Sequence, residues 1–408
     1  MKRRDFLTNS AFLTLGSLYI SCISGCKKDN DIIIKPDQIT RRKFKNITLP
    51  LLGLGCLRIL ATPREEFQKM VDYCMEHGVN FFDTGFYYCD KKSEDILSAA
   101  LQKYKREDYY IATKISPLFF KDNNDFEKKF KIQLERFKSS YIDFYLAHCI
   151  KDKESVNHFK EKGMYDSMCR LKEEGKIRYI GFSSHGKEDV LDRFTDEYKW
   201  DFCYIKVNYH EYYDSKTTKR KMAILEKKKI PIIAMEPMLG GRLATLEDEA
   251  MQELKKNHPD MTPVEFAMKW SASQNVVSIL SGMNNLKHVK ENISYYINFK
   301  KINDEDETAR RISDIIYKNK IINCTYCGYC LTACKQNVDI VNIFKSYNTY
   351  ILDKNEKNLK NLSKVLANNK KNSSCNRCME CCKICPQSLK IPDLIDKIYK
   401  KMDDFQKS

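Results

Sequence analysis

Four side chains that can move a proton or hold a polarised oxygen stand at or just past the ends of three apolar, strand-like runs. Asp83 ends the run 81–83 and Tyr88 follows it, while Lys114 and His148 end two later runs. A phenol can protonate a developing alkoxide, although its reference pKa of about 10 opposes the transfer. A nearby ammonium held by a carboxylate lowers that pKa, and an imidazole can hold the substrate oxygen. Each residue alone is more often structural, but together they predict a carbonyl-reducing site.

The elements that must position these side chains alternate in type along the chain. Charged segments with helical spacing, such as 65–77, 91–104 and 122–139, separate the apolar runs. The predicted strands are 51–56, 80–83, 110–114, 142–148, 179–183, 202–208, 231–236 and 276–281. Strict alternation of eight strands with helices indicates a closed (β/α)₈ TIM barrel, an α/β fold. The interior of such a barrel is packed with side chains, so its chemistry lies at the C-terminal ends of the strands.

The quoted residues resemble the aldo-keto reductases. Asp83-Thr-Gly-Phe-Tyr-Tyr88 is similar to the family's Asp-Thr-Ala-x-x-Tyr signature, Ala-Thr-Lys114 to its third-strand lysine, and Leu-Ala-His148 to its fourth-strand histidine. The resemblance runs from about residue 41 to about residue 298. It implies a short hairpin around residues 46–50 that plugs the bottom of the barrel, and a small carbonyl substrate. It also implies Tyr88 as proton donor, Lys114 and Asp83 as its tuning pair, and His148 as the group that orients the carbonyl.

The resemblance further implies a groove for NADP or NAD along the later strand ends. Paired glycines at 240–241 stand where backbone passes close to a pyrophosphate. The cofactor-binding residues it implies are Ser183, Asn208, Glu236, Met238, Gly240, Gly241, Ser281, Gly282, Glu291 and Asn292. Three positions depart from the family pattern: Met235 replaces a stacking tyrosine, Tyr204 a carboxamide-binding glutamine, and His288 an arginine for the 2′-phosphate. The choice between NADP, NAD and no dinucleotide is therefore open.

The cysteines are distributed unevenly. Nine of the 17 lie between Cys324 and Cys385, in the repeated spacings Cys324-x₂-Cys327-x₂-Cys330-x₃-Cys334 and Cys375-x₂-Cys378-x₂-Cys381-x₃-Cys385. This spacing is typical of two [4Fe–4S] clusters in which each fourth cysteine ligates the other cluster. One cluster is then held by Cys324, Cys327, Cys330 and Cys385, and the other by Cys375, Cys378, Cys381 and Cys334. Paired CxxC elements can also bind zinc, which is the competing interpretation. Cys382 is an extra thiol and is not predicted to be a ligand.

The two cysteine motifs form an internal repeat within residues 301–408. Each leads into a helical pattern, at 341–347 and 393–402, and a helical, Lys-rich stretch lies between them. Lys335 stands where a proline usually follows the fourth cysteine, as Pro386 does in the second motif. The sequence therefore predicts a small helical, two-cluster ferredoxin-like domain after the barrel, which resembles the iron–sulfur branch of the family.

The first 26 residues have the features of an export signal. Arg3-Arg4 is similar to a twin-arginine motif, an apolar stretch follows, and Ile23-Ser-Gly-Cys26 resembles a bacterial lipobox. We expect Cys26 to be acylated and residues 27–40 to form a tether. The predicted location is the periplasmic or outer side of a bacterial membrane, held by the lipid anchor. If the signal is not used, the location is cytoplasmic.

Composition narrows the function classes. A hydrophobic content of 42% with 31% charged residues indicates a globular body. The formal net charge of +16 comes from dispersed lysines, with no arginine stripe or nucleic-acid-binding motif, so nucleic acid is not an expected partner. A solvated basic surface is the default interpretation, and attraction to an acidic redox partner protein or to anionic lipid is the alternative.

Three functions follow. The lead is an iron–sulfur aldo-keto-reductase-type oxidoreductase that uses a nicotinamide cofactor. The second is an exported electron-transfer protein whose barrel binds a substrate reduced through the clusters, without free dinucleotide. The third is a non-catalytic scaffold braced by its clusters.

Overall fold

The computed structural model describes residues 39–407 apart from residues 215, 303–304, 319–320, 353–354 and 373. The predicted signal 1–26, with Cys26, and all but the last two residues of the tether lie outside the described residues. The described chain begins with an antiparallel hairpin of β1 (Arg41–Phe44) and β2 (Ile47–Pro50). This is the hairpin expected around residues 46–50.

Eight parallel strands follow and close into a barrel, which confirms the predicted fold. Each strand pairs with its neighbours in chain order, and the last pairs with the first. The strands are β3 (Leu52–Gly55), β4 (Phe81–Asp83), β5 (Tyr110–Ile115), β6 (Ile142–Ile150), β7 (Ile177–Ser184), β8 (Phe202–Lys206), β9 (Ile232–Met235) and β10 (Ser278–Ser281). Each corresponds to one predicted run. The run predicted at 202–208 is shorter as a strand because Asn208 already caps the following helix.

Helices cover the outside of the barrel. They are α1 (Arg64–Glu76), α2 (Ser93–Leu101), α3 (Asn123–Phe137), α4 (Lys153–Glu161), α5 (Met164–Glu173), α6 (Glu188–Glu197), α7 (Tyr209–Tyr213), α8 (Thr217–Lys227), α9 (Asp248–Asn257), α10 (Pro263–Ser273), α11 (Leu286–Ser294) and α12 (Glu305–Lys318). Side-chain caps fix several starts: Asp122 accepts from the third backbone N–H of α3, and Asp152 does the same for α4. Their apolar faces pack against the strands.

Large side chains fill the inside of the barrel. Phe81, Phe144, Phe202 and Tyr204 are almost fully buried there, and Phe44 of the hairpin closes the bottom against Phe144 with ring centroids 5.3 Å apart. A filled interior leaves room for chemistry only at the rim.

Helix α12 packs on the barrel, although it lies beyond the boundary drawn at residue 300 from the sequence. Ala309 and Ile312 are fully buried in the barrel's outer hydrophobic core, and α12 contacts α7 and α9. The alternation of strands and helices had already stopped, so the periodicity gave no sign that this helix still covers the barrel.

The remaining residues build a smaller, helical module with its own core. Its helices are α13 (Tyr329–Ala333), α14 (Ile340–Leu352), α15 (Glu356–Asn372), α16 (Glu380–Ile384) and α17 (Ile391–Lys407). Ile343, Phe344 and Leu362 are fully buried between them, and the sulfur-bearing side chains of Cys330 and Cys381 belong to the same core. Barrel and module belong to one compact unit. Within the described residues, no helix combines the length and apolar character that crossing a membrane requires.

Candidate active site and cysteine cavities

Lys114 and Asp83 form a buried ion pair at the C-terminal rim of the barrel. Neighbouring strands β4 and β5 bring Lys114 Nζ to 2.6 Å from Asp83 Oδ1, and Nζ also donates to the Thr84 carbonyl at 2.7 Å. Burial lowers the pKa of Lys114 and raises the pKa of Asp83, and the ion pair opposes both shifts. Asp83 Oδ2 and the Tyr204 hydroxyl are also buried here, and the two groups interact with each other.

Tyr88 lies directly beside this pair. Lys114 Nζ stands over the Tyr88 ring, 4.7 Å from the centroid, and the ring is 8% exposed. The sequence predicted a lowered phenol pKa, but burial raises the pKa of Tyr88 well above its usual value, and Tyr329 and Asp83 raise it further. Burial is the largest cause of this rise and outweighs the nearby ammonium, which explains the difference. Tyr88 is therefore a protonated phenol at neutral pH and can act as a proton donor.

His148 completes the group from β6. Its ring lies 5.9 Å from the Tyr88 ring between centroids. Burial, followed by the charge of Lys114, lowers the pKa of His148 to about 3. A neutral imidazole offers one donor and one acceptor, so His148 can hold a carbonyl oxygen without carrying a charge.

These four side chains open into one cavity of about 310 Å³ at the top of the barrel. Nine of the ten residues predicted to bind the dinucleotide line the same cavity: Ser183, Glu236, Met238, Gly240, Gly241, Ser281, Gly282, Glu291 and Asn292. Two of them are already oriented by hydrogen bonds: Asn292 Nδ2 donates to Ser281 Oγ at 2.7 Å, and Ser183 Oγ accepts from the Cys149 N–H at 2.8 Å. The structure thus joins the predicted proton-transfer group and the predicted cofactor groove.

Asn208 is the exception. It is fully buried, caps α7 by accepting from the Glu211 N–H at 2.9 Å, and donates to the Glu236 carbonyl at 3.2 Å. It does not line the cavity. Its amide fixes the chain between β8 and the end of β9, so it positions the site rather than facing it.

The three positions that depart from the family pattern all line the cavity. Met235 and His288 lie along the groove predicted for the dinucleotide, and Tyr204 rises from the barrel interior beside Asp83. Burial and Asp83 raise the pKa of Tyr204 well above its usual value.

The helical module covers part of this groove. A Cβ atom added to Gly240, whose φ is +71°, would lie 2.6 Å from the Thr325 Cα atom. Gly240 therefore leaves space for the module's backbone. The sequence had instead predicted that this space lets the Gly240 backbone pass close to a pyrophosphate. Gly241 has nothing within 4 Å of such an atom and stays open. Thr325, Cys327, Tyr329 and Pro386 of the module line the cavity with the barrel residues.

Basic side chains of the barrel hold the cysteine-bearing loops of the module. Arg242 donates to the Ile322 carbonyl at 3.0 Å, and Arg58 donates to the Thr325 carbonyl. Lys151 donates to the Lys383 carbonyl and, at 3.4 Å, to the Cys385 carbonyl. Lys206 donates to Gln387 Oε1 at 2.8 Å. Part of the chain's positive charge thus lies at this junction instead of on a solvated surface.

The eight motif cysteines surround two small cavities in groups of four. Cys324, Cys327, Cys330 and Cys385 line one, together with apolar residues such as Phe344 and Ile391. Cys334, Cys375, Cys378 and Cys381 line the other. Each group takes its fourth cysteine from the other motif, as the spacing predicts, and Cys382 lines neither cavity.

The two cysteine loops share one backbone conformation. In the first, the residues on either side of the second cysteine, Tyr326 and Gly328, have positive φ, and in the second Arg377 and Met379 do the same. The third residue after each fourth cysteine, Asn337 and Ser388, also has positive φ. Turns of this kind direct successive backbone N–H groups inward and occur at many iron–sulfur sites. In the first loop the Tyr326 N–H already donates to Cys324 Sγ at 3.4 Å.

No three His, Cys, Asp or Glu side chains of the described residues are grouped closely enough to hold one metal ion.

Two aromatic residues beside His148 were missed from the sequence. Tyr329 of α13 lies 6.3 Å from the Tyr88 ring and 6.4 Å from the His148 ring between centroids. The ring of His185, which follows β7, lies 6.3 Å from the ring of His148 between centroids. His185 could have been predicted as a site residue, because it directly follows the strand end at Ser183–Ser184. Tyr329 could not be predicted in this way, because it stands among the variable positions of a cysteine motif.

A closed parallel barrel with a phenol, an ammonium–carboxylate pair and an imidazole at its rim defines a barrel oxidoreductase. The chain belongs to the aldo/keto reductase family, whose model matches residues 51–313. The uncharacterized oxidoreductase YqkF of Bacillus subtilis is 25% identical over 293 residues, covering 63% of this chain and 90% of that protein. L-galactose dehydrogenase of Arabidopsis thaliana is 27% identical over 294 residues, which cover 63% of this chain and 83% of that protein.

Solved structures agree on the fold. The aldo-keto reductase AKR11C1 from Bacillus halodurans, in its holo form, has a TM-score of 0.57 at 19% sequence identity. The match covers 67% of this chain and 96% of that chain. An aldo-keto reductase from Klebsiella pneumoniae in complex with NADPH has a TM-score of 0.54 at 18% identity, with coverages of 68% and 95%.

Proposed function

We propose that the chain is an iron–sulfur aldo-keto-reductase-type oxidoreductase that reduces a small carbonyl compound with NADPH or NADH. The observation that carries this proposal is the single cavity that joins Asp83, Tyr88, Lys114 and His148 to the predicted dinucleotide groove. The family membership supports the reaction class, and the NADPH-bound structural relative supports the cofactor.

The chain's own residues supply proton transfer and orientation. His148, neutral at working pH, holds the carbonyl oxygen near Tyr88. Tyr88 then donates its proton to the oxygen as negative charge develops there. Lys114, fixed by Asp83 and the Thr84 carbonyl, stabilises the phenolate that remains. The reaction consumes one hydride and one proton per carbonyl, and a bound nicotinamide supplies the hydride.

The two groups of four cysteines fit two [4Fe–4S] clusters. Supporting observations are the crossed three-plus-one grouping, the apolar linings and the turns with positive φ that both cysteine loops repeat. A cluster binds each thiolate at its own iron, so its cysteines need not converge on one point as the ligands of a zinc ion do. When bound, such clusters supply one-electron transfer. The four basic side chains at the junction favour a negatively charged group in the first cavity.

A second function is favoured by where the two cavities lie. Cys327 of the first lines the catalytic cavity, while Cys378 of the second is exposed. This arrangement suits electrons arriving from a redox partner protein and reaching the substrate without free dinucleotide. The backbone of Thr325 packs directly against Gly240 and so leaves less space for a dinucleotide in the predicted groove, which also favours this second function.

Anaerobic titration of the cluster-loaded protein with NADPH and NADH separates the two functions. Tight binding followed by carbonyl reduction supports the first. Turnover only with a reduced low-potential donor supports the second, and intact clusters without turnover in either assay would show a scaffold.

The proposed location is the outer face of a bacterial membrane, anchored by acyl chains on Cys26. The twin-arginine-like and lipobox-like segments support this location, and an exported folded protein could carry its clusters with it. Intact-mass analysis of the membrane fraction tests it, and a protein that retains Met1 without lipid would contradict it.

A further inference from the structure

A second cavity, of about 470 Å³, lies beside the catalytic one and is strongly basic. It is formed by the loops that follow β6, β7 and β8 and is closed by Gln387 and Ser388 of the module. The charged residues in its wall are Lys151, Lys153, Lys187, Arg193, Lys206, Lys221, Asp152, Asp189 and Glu211. None of the ten residues predicted to bind the dinucleotide lines this cavity.

Lys221 is the most unusual group in this wall. Its side chain is 4% exposed, yet it makes no hydrogen bond or ion pair with any residue that the structure describes. Two carboxylates favour its charge, Glu211 and Glu188, and they are already paired with Lys206 and Arg220. An unpaired buried ammonium is costly, so a group that compensates it is expected from outside the chain. Burial and Lys206 lower the pKa of Lys221 to about 8, which agrees with this lack of compensation.

Other groups in the wall also suit an anion. Lys151 is 9% exposed, and its ammonium bonds to carbonyls of the module rather than to a carboxylate. The first turn of the 11-residue helix α8, with Thr217 and Thr218, faces the cavity and adds the positive end of a helix dipole. Both ring nitrogens of His185 are buried without a partner among the described residues.

His185 connects this cavity to the chemistry. It lines both cavities, and its ring lies 6.3 Å from that of His148 between centroids. For a molecule whose carbonyl is held at His148, the direction toward Lys221 leads past this shared ring.

We propose that the cavity around Lys221 binds the phosphate or carboxylate of an anionic carbonyl substrate. The anion site stands on its own geometry, whereas its link to a carbonyl substrate rests on the proposed function.

The first arm of the test measures anion binding without catalysis. Inorganic phosphate is titrated calorimetrically into the full-length, cluster-loaded protein and into Lys221→Met. Lys128→Met serves as the control, because it removes the same charge from an exposed position of α3. Phosphate should bind the wild type and the control alike, and at least tenfold more weakly to Lys221→Met. In phosphate-free buffer, Lys221→Met should unfold at the same temperature as the wild type or higher, because an uncompensated buried charge is gone. Equal binding to all three proteins, or no binding to the wild type, would overturn the site.

The second arm identifies the source of the anion. The ratio of kcat/KM for 4-carboxybenzaldehyde to that for benzaldehyde should fall at least tenfold in Lys221→Met, recover in Lys221→Arg and stay unchanged in Lys128→Met. If phosphate binds at Lys221 but the ratio does not move, the site serves free anions and the substrate assignment is overturned. Phosphate binding with no turnover of either aldehyde would contradict the proposed carbonyl reduction and leave the anion site standing.

Discussion

The ring of Tyr329, carried by the helical module, lies 6.3 Å from the ring of Tyr88, carried by the barrel, measured between centroids. Tyr329 stands between Cys327 and Cys330, so one short helix joins the candidate proton donor to a candidate cluster. The module is therefore part of the active-site wall.

Tyr329→Phe should test this contact. The hydroxyl of Tyr329 interacts with that of Tyr88, while its ring fills space between Tyr88 and His148. Phenylalanine keeps the ring and removes the polar group. Losing one hydrogen-bonding partner is worth about 0.5–1.5 kcal/mol, so kcat/KM should change by roughly two- to tenfold. Steady-state rates with iron analysis give the check. An unchanged rate at full iron content would show that the module only covers the site.

Cys385→Ala should remove one cluster selectively. The wild type should contain about eight iron atoms and eight acid-labile sulfides per chain, from two four-iron clusters. The variant should lose about half of the iron, because Cys385 shares its cavity with Cys324, Cys327 and Cys330. Cys382→Ala is the matched control, since Cys382 lines neither cavity. Iron analysis and low-temperature EPR of the reduced protein are the measurements. Zinc in place of iron, with no EPR signal, would refute both redox functions.

Gly240→Ala should loosen the module. The new Cβ atom would meet the Thr325 backbone at 2.6 Å, and backbone cannot move aside as a flexible side chain can. Gly241→Ala is the control, because it shares the strain of a positive φ but has free space around it. Overpacking of this kind costs about 1–3 kcal/mol. The thermal midpoint of Gly240→Ala should therefore lie several degrees below that of Gly241→Ala. Equal midpoints would mean that the module is not seated against this loop.

Glu236→Gln should stabilise the protein more at pH 8 than at pH 5. Burial raises the pKa of Glu236 from 4.5 to about 7, so the folded protein holds a proton that the unfolded chain has lost between these values. The stability of the wild type therefore falls as pH rises through this window, and glutamine does not titrate. The gain at pH 8 should be about 2 kcal/mol, allowing for the partial exposure of the side chain.

Thermal midpoints at the two pH values measure this difference. Glu135→Gln, at an exposed position of α3, is the control and should show no such trend. A gain for Glu236→Gln that is independent of pH would contradict the titration.

The barrel and its rim could be predicted because their signals are local. Apolar runs and helical spacing mark each strand and helix, and Asp83, Lys114 and His148 stand at or near the C-terminal ends of strands that the topology makes neighbours. The crossed cysteine groups were also predictable. Short loops place the first three thiols of each motif around one cavity, and the longer x₃ spacing lets the fourth cysteine reach the cavity of the other motif.

Contacts between distant segments could not be predicted in the same way. The approach of Thr325 to Gly240 and the place of Tyr329 beside Tyr88 depend on how the module docks on the barrel, and the burial of Lys221 depends on how α8 packs against the barrel. The expected lowering of the Tyr88 pKa failed for a related reason. The sequence gives the neighbouring charge of Lys114 but not the burial of the phenol, which outweighs that charge.

The central claim is that this barrel reduces a carbonyl with Tyr88 as the acid. Its most direct test is the rate of aldehyde reduction by anaerobic, cluster-loaded wild type and Tyr88→Phe, with NADPH, NADH and a reduced low-potential donor assayed in parallel. Phenylalanine keeps the ring in its place beside Lys114 and His148 but removes the proton. The rate should fall by about 10²–10⁴-fold while dinucleotide affinity and iron content stay the same. Turnover that is the same in Tyr88→Phe as in the wild type would contradict the claim.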